Sequence, residues 1–329
     1  MNWSSKRVLV TGAGGFIGSH LTERLVKEGA KVRAFIHYNS RNDWGLLELL
    51  PKDILQEIEI FSGDIQDPFA VRKAVKGCHI VFHLASLIAI PYSYIAPQSF
   101  VSTNVLGAVN VMEACLKEGV ERVVHTSTSE VYGTARYVPI DENHPLQGQS
   151  PYSASKIGAD KIAESYYRSF DLPVAIIRPF NTYGPRQSAR AIIPTIITQL
   201  LTSDQLKLGD LTPTRDLNYV EDTVEGFLKM ATVPEAIGEV INIGSGKEIS
   251  IGDLAYKIMQ IMGKNVPIVT EEIRKRPEKS EVKRLLADNS KAHKLLSWKP
   301  KFSLEEGLKC TIAWVEKFLD RYKADIYNL

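Results

Sequence analysis

A doubly wound α/β fold, a parallel sheet covered by helices on both faces with a smaller C-terminal lobe, is predicted for this chain by three observations. Apolar runs of four to six residues alternate with amphipathic stretches through the first 180 residues, the rhythm of βαβ units. The first of these runs leads directly into a glycine-rich turn that opens a helical pattern. After Pro179 the alternation loosens into loops, short strands and helices, which sets off a second lobe.

In chain order, the apolar runs predict strands over 7–11, 31–36, 57–62, 80–84, 122–127 and 174–178. Helical patterns lie between them over 18–28, 68–75, 103–118 and 153–170, the last two long enough for several turns. Residues 1–180 are expected to form the dinucleotide-binding unit with the catalytic residues, and 181–329 the substrate lobe, with some crossing back of the chain. Beyond Pro179, GPRQSARAIIP reads as loop then helix, LTPTRDLNYVED as a loop into a helix start, and INIGSGKEIS as a strand and turn.

Composition narrows the function classes. With 40 Lys+Arg against 38 Asp+Glu spread along the chain, no global field holds a nucleic acid or an anionic membrane, so any bound anion must be gripped locally. At 44% hydrophobic and 24% charged residues the chain is globular rather than disordered, collagenous or coiled-coil. Cys78, Cys115 and Cys310 are far apart and lack a CxxC spacing, which predicts buried free thiols in a reducing compartment rather than disulfides or a zinc site. The first residues run straight into a strand pattern, and the longest apolar runs, over 80–90 and 191–201, fall short of the roughly 18 residues of a membrane span. A soluble, cytoplasmic protein is expected.

The segment VLVTGAGGFIGSHLTERL places Gly12, Gly15 and Gly18 at three-residue intervals between a strand and a helix. A tight strand-to-helix turn needs positive φ, an approaching pyrophosphate tolerates no Cβ, and a helix N-terminus favours anions. Gly12, Gly15, Phe16, Ile17 and Gly18 are therefore the candidate dinucleotide cradle, and the sheet is Rossmann-like. At the end of the second strand an acid would bind the adenosine 2′-hydroxyl of NAD, but FIHYNSRND has none before Asp43. His37, Ser40 and Arg41 suit a 2′-phosphate, whereas Asn39 or Ser40 suits a hydroxyl, so the cofactor is NAD(P) with NADP slightly ahead. Asp64 and Ile65, after the third strand, stand where an adenine contact is expected.

Tyr152 and Lys156 lie four apart, on one face of a helix. A phenol becomes a base when its pKa falls, and a nearby ammonium favours the phenolate. Twenty-four residues before Tyr152 a strand ends in HTSTSEVYG, which brings the Thr128 hydroxyl to the same substrate hydroxyl.

With this combination the chain resembles the extended short-chain dehydrogenase/reductase superfamily over nearly its whole length. The matching stretches are TGAGGFIG, GDIQD, FHLAS, TNVLGAVNVMEAC, TSTSEVYG, PYSASK, IIRPFNTYGPR, TRDLNYVEDT and ADNSKAHKLLSWKPKFSLEEGL. The resemblance implies a tightly bound, regenerated NAD(P) and a nucleotide-diphospho-sugar substrate. It also implies a homodimer through two long helices, about 100–118 and 153–170. Further cofactor contacts are implied for Leu84, Ala85 and Ser86 in FHLAS, for Asn104 and for Pro179. Asn104 has two physical roles open to it, ordering the Tyr152–Lys156 pair or capping a helix.

Ser129 and Glu130 carry the finer distinction. Similar nucleotide-sugar 4,6-dehydratases have Asp-Glu or Ser-Glu after the active-site threonine, and 4-epimerases generally lack the acid. Dehydration needs a base for the C5 proton once C4 is a ketone, which is the role the resemblance gives Glu130. Ser129 replaces the second carboxyl that supplies the acid step in Asp-Glu relatives, so Glu130 is expected to act first as base and then as acid. The Ser-Glu pair also occurs in UDP-glucuronate decarboxylases. FIHYNSRNDWGLLELL and RPEKSEVKRLLADNSK look instead like the 4,6-dehydratases of the legionaminic acid and related pathways, which act on UDP- or GDP-linked N-acetylglucosamine. A sugar 4-epimerase is a further alternative. A non-catalytic dinucleotide sensor on the same fold belongs to a different class, and the intact Thr128, Tyr152 and Lys156 set opposes it.

By position, Asn181 and Arg186 in IIRPFNTYGPR are implied as substrate contacts, and Arg215 and Arg276 as the guanidinium groups that neutralise the diphosphate. Arg276 lies in a basic stretch that also holds Glu278 and Glu281 and reads equally as a solvated loop. His79 and His83 share a strand pattern with no third ligand, so no metal is expected. Tyr92, Tyr94 and Phe100 line the pocket or simply pack, His125 lacks a nucleophile elbow to serve, and Trp298 and Trp314 belong to the small lobe's core.

Overall fold

The computed structural model describes residues 2–323 and Ile326. Its strands are β1 (Arg7–Thr11), β2 (Lys31–His37), β3 (Ile58–Gly63), β4 (Ile80–His83), β5 (Arg122–Thr126), β6 (Val174–Pro179), β7 (Asn181–Tyr183), β8 (Leu206–Leu208), β9 (Thr214–Tyr219), β10 (Val240–Ile243), β11 (Glu248–Ser250) and β12 (Ile268–Thr270). Seven of them form one sheet in the order β10-β6-β5-β4-β1-β2-β3, every pair parallel. The strand order reverses direction between β1 and β4, the place where a doubly wound sheet opens a crevice at its carboxyl ends.

Strands buried on both faces read as continuous apolar runs, and their alternation sorts side chains into two layers. Val8 and Val10 of β1 join Leu21 and Leu25 of the glycine-loop helix (Phe16–Lys27) in one core, with Phe82 and Phe227. Leu9 faces the other way, into a core shared with Val111, Cys115 and Ala163. Burying each such large side chain contributes roughly 1.5–3 kcal/mol.

The catalytic helix runs Pro151–Phe170 and starts with a capping box, the Ser150 hydroxyl accepting from the Ser153 amide and Ser153 reciprocating, with Pro151 in the first turn. A cap of this kind is worth about 1 kcal/mol. It starts two residues before the periodicity suggests, because Pro151 suits a position whose amide has no helical partner. The neighbouring long helix also starts earlier than expected. It runs Pro97–Glu118, with a π-helical segment over Val101–Leu106, and ends at Gly119 in the left-handed conformation. By length and composition it is long and apolar enough to cross a membrane, but half of that stretch is buried inside the fold.

Beyond residue 180, β7, β9 and β11 make a small sheet and β8 pairs with β12. The chain then crosses back: β10 joins the main sheet beside β6, and helix Val220–Thr232 packs on β5 and β6. Trp298 is buried and its indole nitrogen donates to the Asp222 carbonyl at 2.9 Å. Cys78 and Cys115 are buried free thiols, whereas Cys310, on the outer side of helix Leu304–Lys317, is exposed, contrary to expectation.

Candidate active site

The glycine loop is as tight as its sequence requires. Gly12 has φ +70°, and a Cβ there would lie 2.9 Å from the Ala85 amide nitrogen. At Gly18 a Cβ would sit 2.1 Å from the Gly12 carbonyl oxygen. Gly15 caps the following helix without any side-chain bond, which leaves the first-turn amides around Phe16 and Ile17 facing outward. An uncapped helix N-terminus behind glycines is a fit for a dinucleotide's pyrophosphate. Leu84 and Ala85 donate their amides to the Thr11 hydroxyl at 3.1 Å each, so the FHLAS loop is pinned directly beside Gly12.

At the adenosine end the predicted residues diverge. His37, Ser40 and Arg41 are exposed, with His37 Nε2 3.9 Å from an Asp64 oxygen and Arg41 3.8 Å from Asp43. Asn39 is not free for a ligand: its Oδ1 accepts from the Arg41 and Asp43 amides and its Nδ2 donates to the Asp43 carbonyl, so it holds its own loop together. Ile65 buries its side chain against Gly107, and its carbonyl accepts from Asn110.

The catalytic residues converge where β5 ends. Thr128 starts a short 3-10 turn, Ser129–Tyr132, and its hydroxyl accepts from the Glu130 amide at 3.2 Å. Ser129, Glu130, Tyr152 and Lys156 are all buried. Phe100 packs edge-on against the Tyr152 ring, centroids 6.2 Å apart. Burial pushes the Tyr152 phenol well up, the adjacent Thr128 side chain works against this, and the negative charges of Glu130 and Asp160 add to the rise. Lys156 donates to the Thr126 carbonyl at 2.6 Å, at the end of β5. Burial pulls its ammonium down to about 8, against an upward pull from Asp160. Asn104 sits in the π-helical segment, so it caps nothing; its side chain clamps both polar groups of the Leu87 backbone and donates to Ser155 on the catalytic helix at 2.9 Å.

Behind this wall lies a polar row that follows from strand register. Thr11 pairs with His83 across β1–β4, and His83 with His125 across β4–β5. Thr11 already accepts two amides, so its proton goes to His83 Nδ1 at 2.9 Å. The two imidazole centroids are 5.4 Å apart, and burial holds both rings below the usual histidine range, His83 far below. His125 Nε2 is 3.3 Å from Asp160, which also accepts from Ser127 at 2.6 Å and from Arg178 at 3.0 Å. Sequence reasoning missed Asp160. Its signal was a charged residue four positions after Lys156, on a face that periodicity buries.

At the other end of the cleft, Arg215 and Arg276 meet on one carboxylate. Arg215 donates to Glu281 at 2.9 Å, and Arg276 Nη1 lies 3.6 Å from the same oxygen, buried and without a hydrogen bond. Two guanidinium groups facing one acid leave a net positive recess suited to a diphosphate. Asn181 Oδ1 is likewise buried without a partner among the described residues, as a ligand contact requires. Arg186 is placed elsewhere. With φ +69° it lies on the glycine-loop helix, where it pairs with Glu23 and stacks on Trp314.

The profile of the GDP-mannose 4,6 dehydratase family matches residues 9–311. The chain belongs to this family. Within it and the surrounding extended short-chain dehydrogenase/reductase relatives, the dTDP-D-glucose 4,6-dehydratase of Mus musculus is 33% identical over 329 residues, covering 97% of this chain and 91% of the relative. The UDP-glucose 4-epimerase of Mycolicibacterium smegmatis is 33% identical over 313 residues, covering 93% and 97%. Among solved structures, the dTDP-glucose 4,6-dehydratase DesIV of Streptomyces venezuelae, with NAD bound, superposes with a TM-score of 0.85 at 29% identity, covering 96% of this chain and 99% of that one. The UDP-glucuronic acid 4-epimerase of Bacillus cereus, also with NAD, gives 0.86 at 30%, covering 95% and 99%. The family therefore fixes a nicotinamide-dependent enzyme of nucleotide sugars, with dehydratases and epimerases equally near.

Proposed function

We propose that the protein is an NAD(P)-dependent nucleotide-sugar 4,6-dehydratase, with UDP- or GDP-linked N-acetylglucosamine as substrate and NADP slightly ahead of NAD. The observation that carries this reading is Glu130, a buried carboxylate without an ion pair among the described residues, whose charge opposes ionisation of Tyr152. Burying an unpaired acid is costly, and beside the phenol it handicaps the base that oxidation at C4 needs. A 4-epimerase has no use for such a group, but elimination across C5–C6 does.

The bound nicotinamide supplies a hydride acceptor for C4 and afterwards a hydride donor for C6. Tyr152 takes the O4 proton, with Thr128 against its phenol; Lys156, one turn on along the same helix and bonded to the Thr126 carbonyl, supplies an ammonium that favours the phenolate. Once C4 is a ketone the C5 proton is acidic, and Glu130 removes it. The proton it then carries leaves with the C6 oxygen as water, and the buried Ser129 hydroxyl beside it positions that transfer. Once C6 has received its hydride, C5 takes back a solvent-derived proton through Glu130, and Tyr152 returns its own proton to solvent. Arg215, Arg276 and Asn181 hold the diphosphate and sugar so that C5 faces Glu130. Val101 and Leu106, exposed on the long helix, support a homodimer through the 100–118 and 153–170 helices; a monomer mass in sedimentation velocity would contradict it.

UDP- and GDP-N-acetylglucosamine are incubated separately with the purified protein and the sugar nucleotides weighed by mass spectrometry. Loss of one water supports the dehydratase. Unchanged mass with a changed isomer makes the protein an epimerase, and loss of carbon dioxide from UDP-glucuronate makes it a decarboxylase.

A further inference from the structure

The catalytic helix buries three polar side chains at four-residue steps, Tyr152, Lys156 and Asp160, and the mechanism uses two of them. The third, Asp160, is held by neighbours on β5, β6 and the residue after β5. Its Oδ2 accepts from Ser127 at 2.6 Å and from Arg178 at 3.0 Å, and its Oδ1 faces His125 Nε2 at 3.3 Å. Ser127 lies between the residue whose carbonyl receives Lys156 and the residue whose hydroxyl meets Tyr152. We propose that Asp160 is a positioning residue for the Lys156–Tyr152 pair, tethering the end of β5 through Ser127 and presenting its carboxylate one helical turn from Lys156.

The tether is geometric. The Ser127 amide donates to Ile177 on β6 at 2.8 Å, so the Asp160 bond fixes the side chain of a residue whose backbone is already paired. Thr126 and Thr128 are held on either side of it. The second role is electrostatic. Lys156 acts on the buried His83 of β4 and His125 of β5 and has Asp160 one turn on along its own helix, with Arg178 of β6 paired to that aspartate. Lys156 stands at about 8 with burial pulling it down and Asp160 holding it up, so removing the Asp160 charge lowers it further and reduces the charged fraction at neutral pH. A neutral lysine does not favour the phenolate.

This assignment rests on the oxidation chemistry of the preceding section, but its principal test needs no substrate. Protein labelled with carbon-13 lysine is titrated by NMR, with the Lys156 ε-methylene resonance identified by its loss in Lys156→Met. The wild-type midpoint is expected near 8, and Asp160→Asn is expected to lower it. Asp160→Asn leaves the buried Arg178 without its counter-ion, so Asp160→Asn/Arg178→Met, which removes both charges, is titrated in parallel and is expected to fall less, because the cation that opposes the Lys156 ammonium goes with the anion. An unchanged midpoint in folded Asp160→Asn overturns the electrostatic role.

Ser127→Ala tests the tether, keeping the charge and removing the bond. On the substrate selected by the mass assay it is expected to lower kcat about tenfold, with KM and the Lys156 midpoint unmoved. Wild-type turnover in Ser127→Ala overturns the tether. A failed dehydratase assay with a shifted midpoint leaves Asp160 assigned and the reaction reassigned.

Discussion

The two ends of the cleft are built from different material. At the nicotinamide end every reactive group stands on a strand end or a helix turn: Thr128 after β5, Glu130 on the turn that follows, and Tyr152 and Lys156 on a capped helix. Behind them Thr11, His83, His125 and Asp160 form a buried polar row, with Thr11 bonded to His83 and His125 Nε2 3.3 Å from Asp160. At the diphosphate end Arg215 sits on a short strand, while Arg276 and Glu281 sit on an irregular segment held by side-chain contacts such as Tyr94 to Ser280 at 2.6 Å and Gln149 to the Lys279 carbonyl at 3.0 Å. On the proposed assignment, the difference teaches that the reaction is set by regular elements and the choice of substrate by loops. Chemistry needs atoms fixed to fractions of an ångström, and recognition tolerates adjustment.

Mutations at the two ends should separate in kinetics. The largest effect is expected from Tyr152→Phe, which removes the base while leaving the ring's contact with Phe100. kcat should fall about a hundred- to ten-thousand-fold with substrate affinity by calorimetry retained. A comparable fall in affinity would mean that this end also binds.

Glu130→Gln keeps the shape and removes the charge. Water loss should drop by a similar factor of about a hundred or more, while the phenol, relieved of a neighbouring negative charge, titrates lower in an ultraviolet pH titration. Near wild-type dehydration would remove Glu130 from the reaction.

At the diphosphate end Arg215→Ala should raise KM about ten- to a hundredfold with kcat nearly unchanged. Arg276→Ala should do less, since that side chain is 30% exposed and only near Glu281, whereas Arg215 is 9% exposed and bonded to it. A kcat effect as large as that of Tyr152→Phe would erase the distinction between the two ends.

The smallest effect concerns acid. Asp160 is held down at about 2, burial opposing and the facing His125 side chain, Arg178 and Lys156 prevailing. A depressed carboxylate contributes stability that is present above its unfolded value near 4 and lost as pH falls through about 2. Urea midpoints between pH 5 and 2 should therefore decline less steeply in Asp160→Asn than in the wild type.

The same contrast explains what could be read from the amino-acid sequence. Gly12, Gly15 and Gly18, Tyr152 and Lys156 were legible because short spacings on regular elements dictate which side chains share a face. The parallel sheet was legible from its apolar runs, although the starts of the two long helices were not, since Pro151 and the π-helical segment at Val101–Leu106 follow from local backbone rather than periodicity. Asn39 and Arg186 were misplaced because a polar residue in a loop looks the same whether it faces a ligand, its own backbone or, as Arg186 does, a glutamate on a distant helix. The meeting of Arg215, Arg276 and Glu281, and of Thr11, His83, His125 and Asp160, depends on strand register and loop path, which no spacing encodes.

The central claim is that Glu130 turns a C4 oxidation site into a dehydratase. The most direct measurement is to run the reaction in heavy water with UDP- and GDP-N-acetylglucosamine and examine the product by mass spectrometry and proton NMR. Removal of the C5 proton by Glu130 predicts a product lacking one water and carrying deuterium at C5, with both changes lost in Glu130→Gln. A product of unchanged composition, inverted at C4 and free of deuterium at C5, would contradict it.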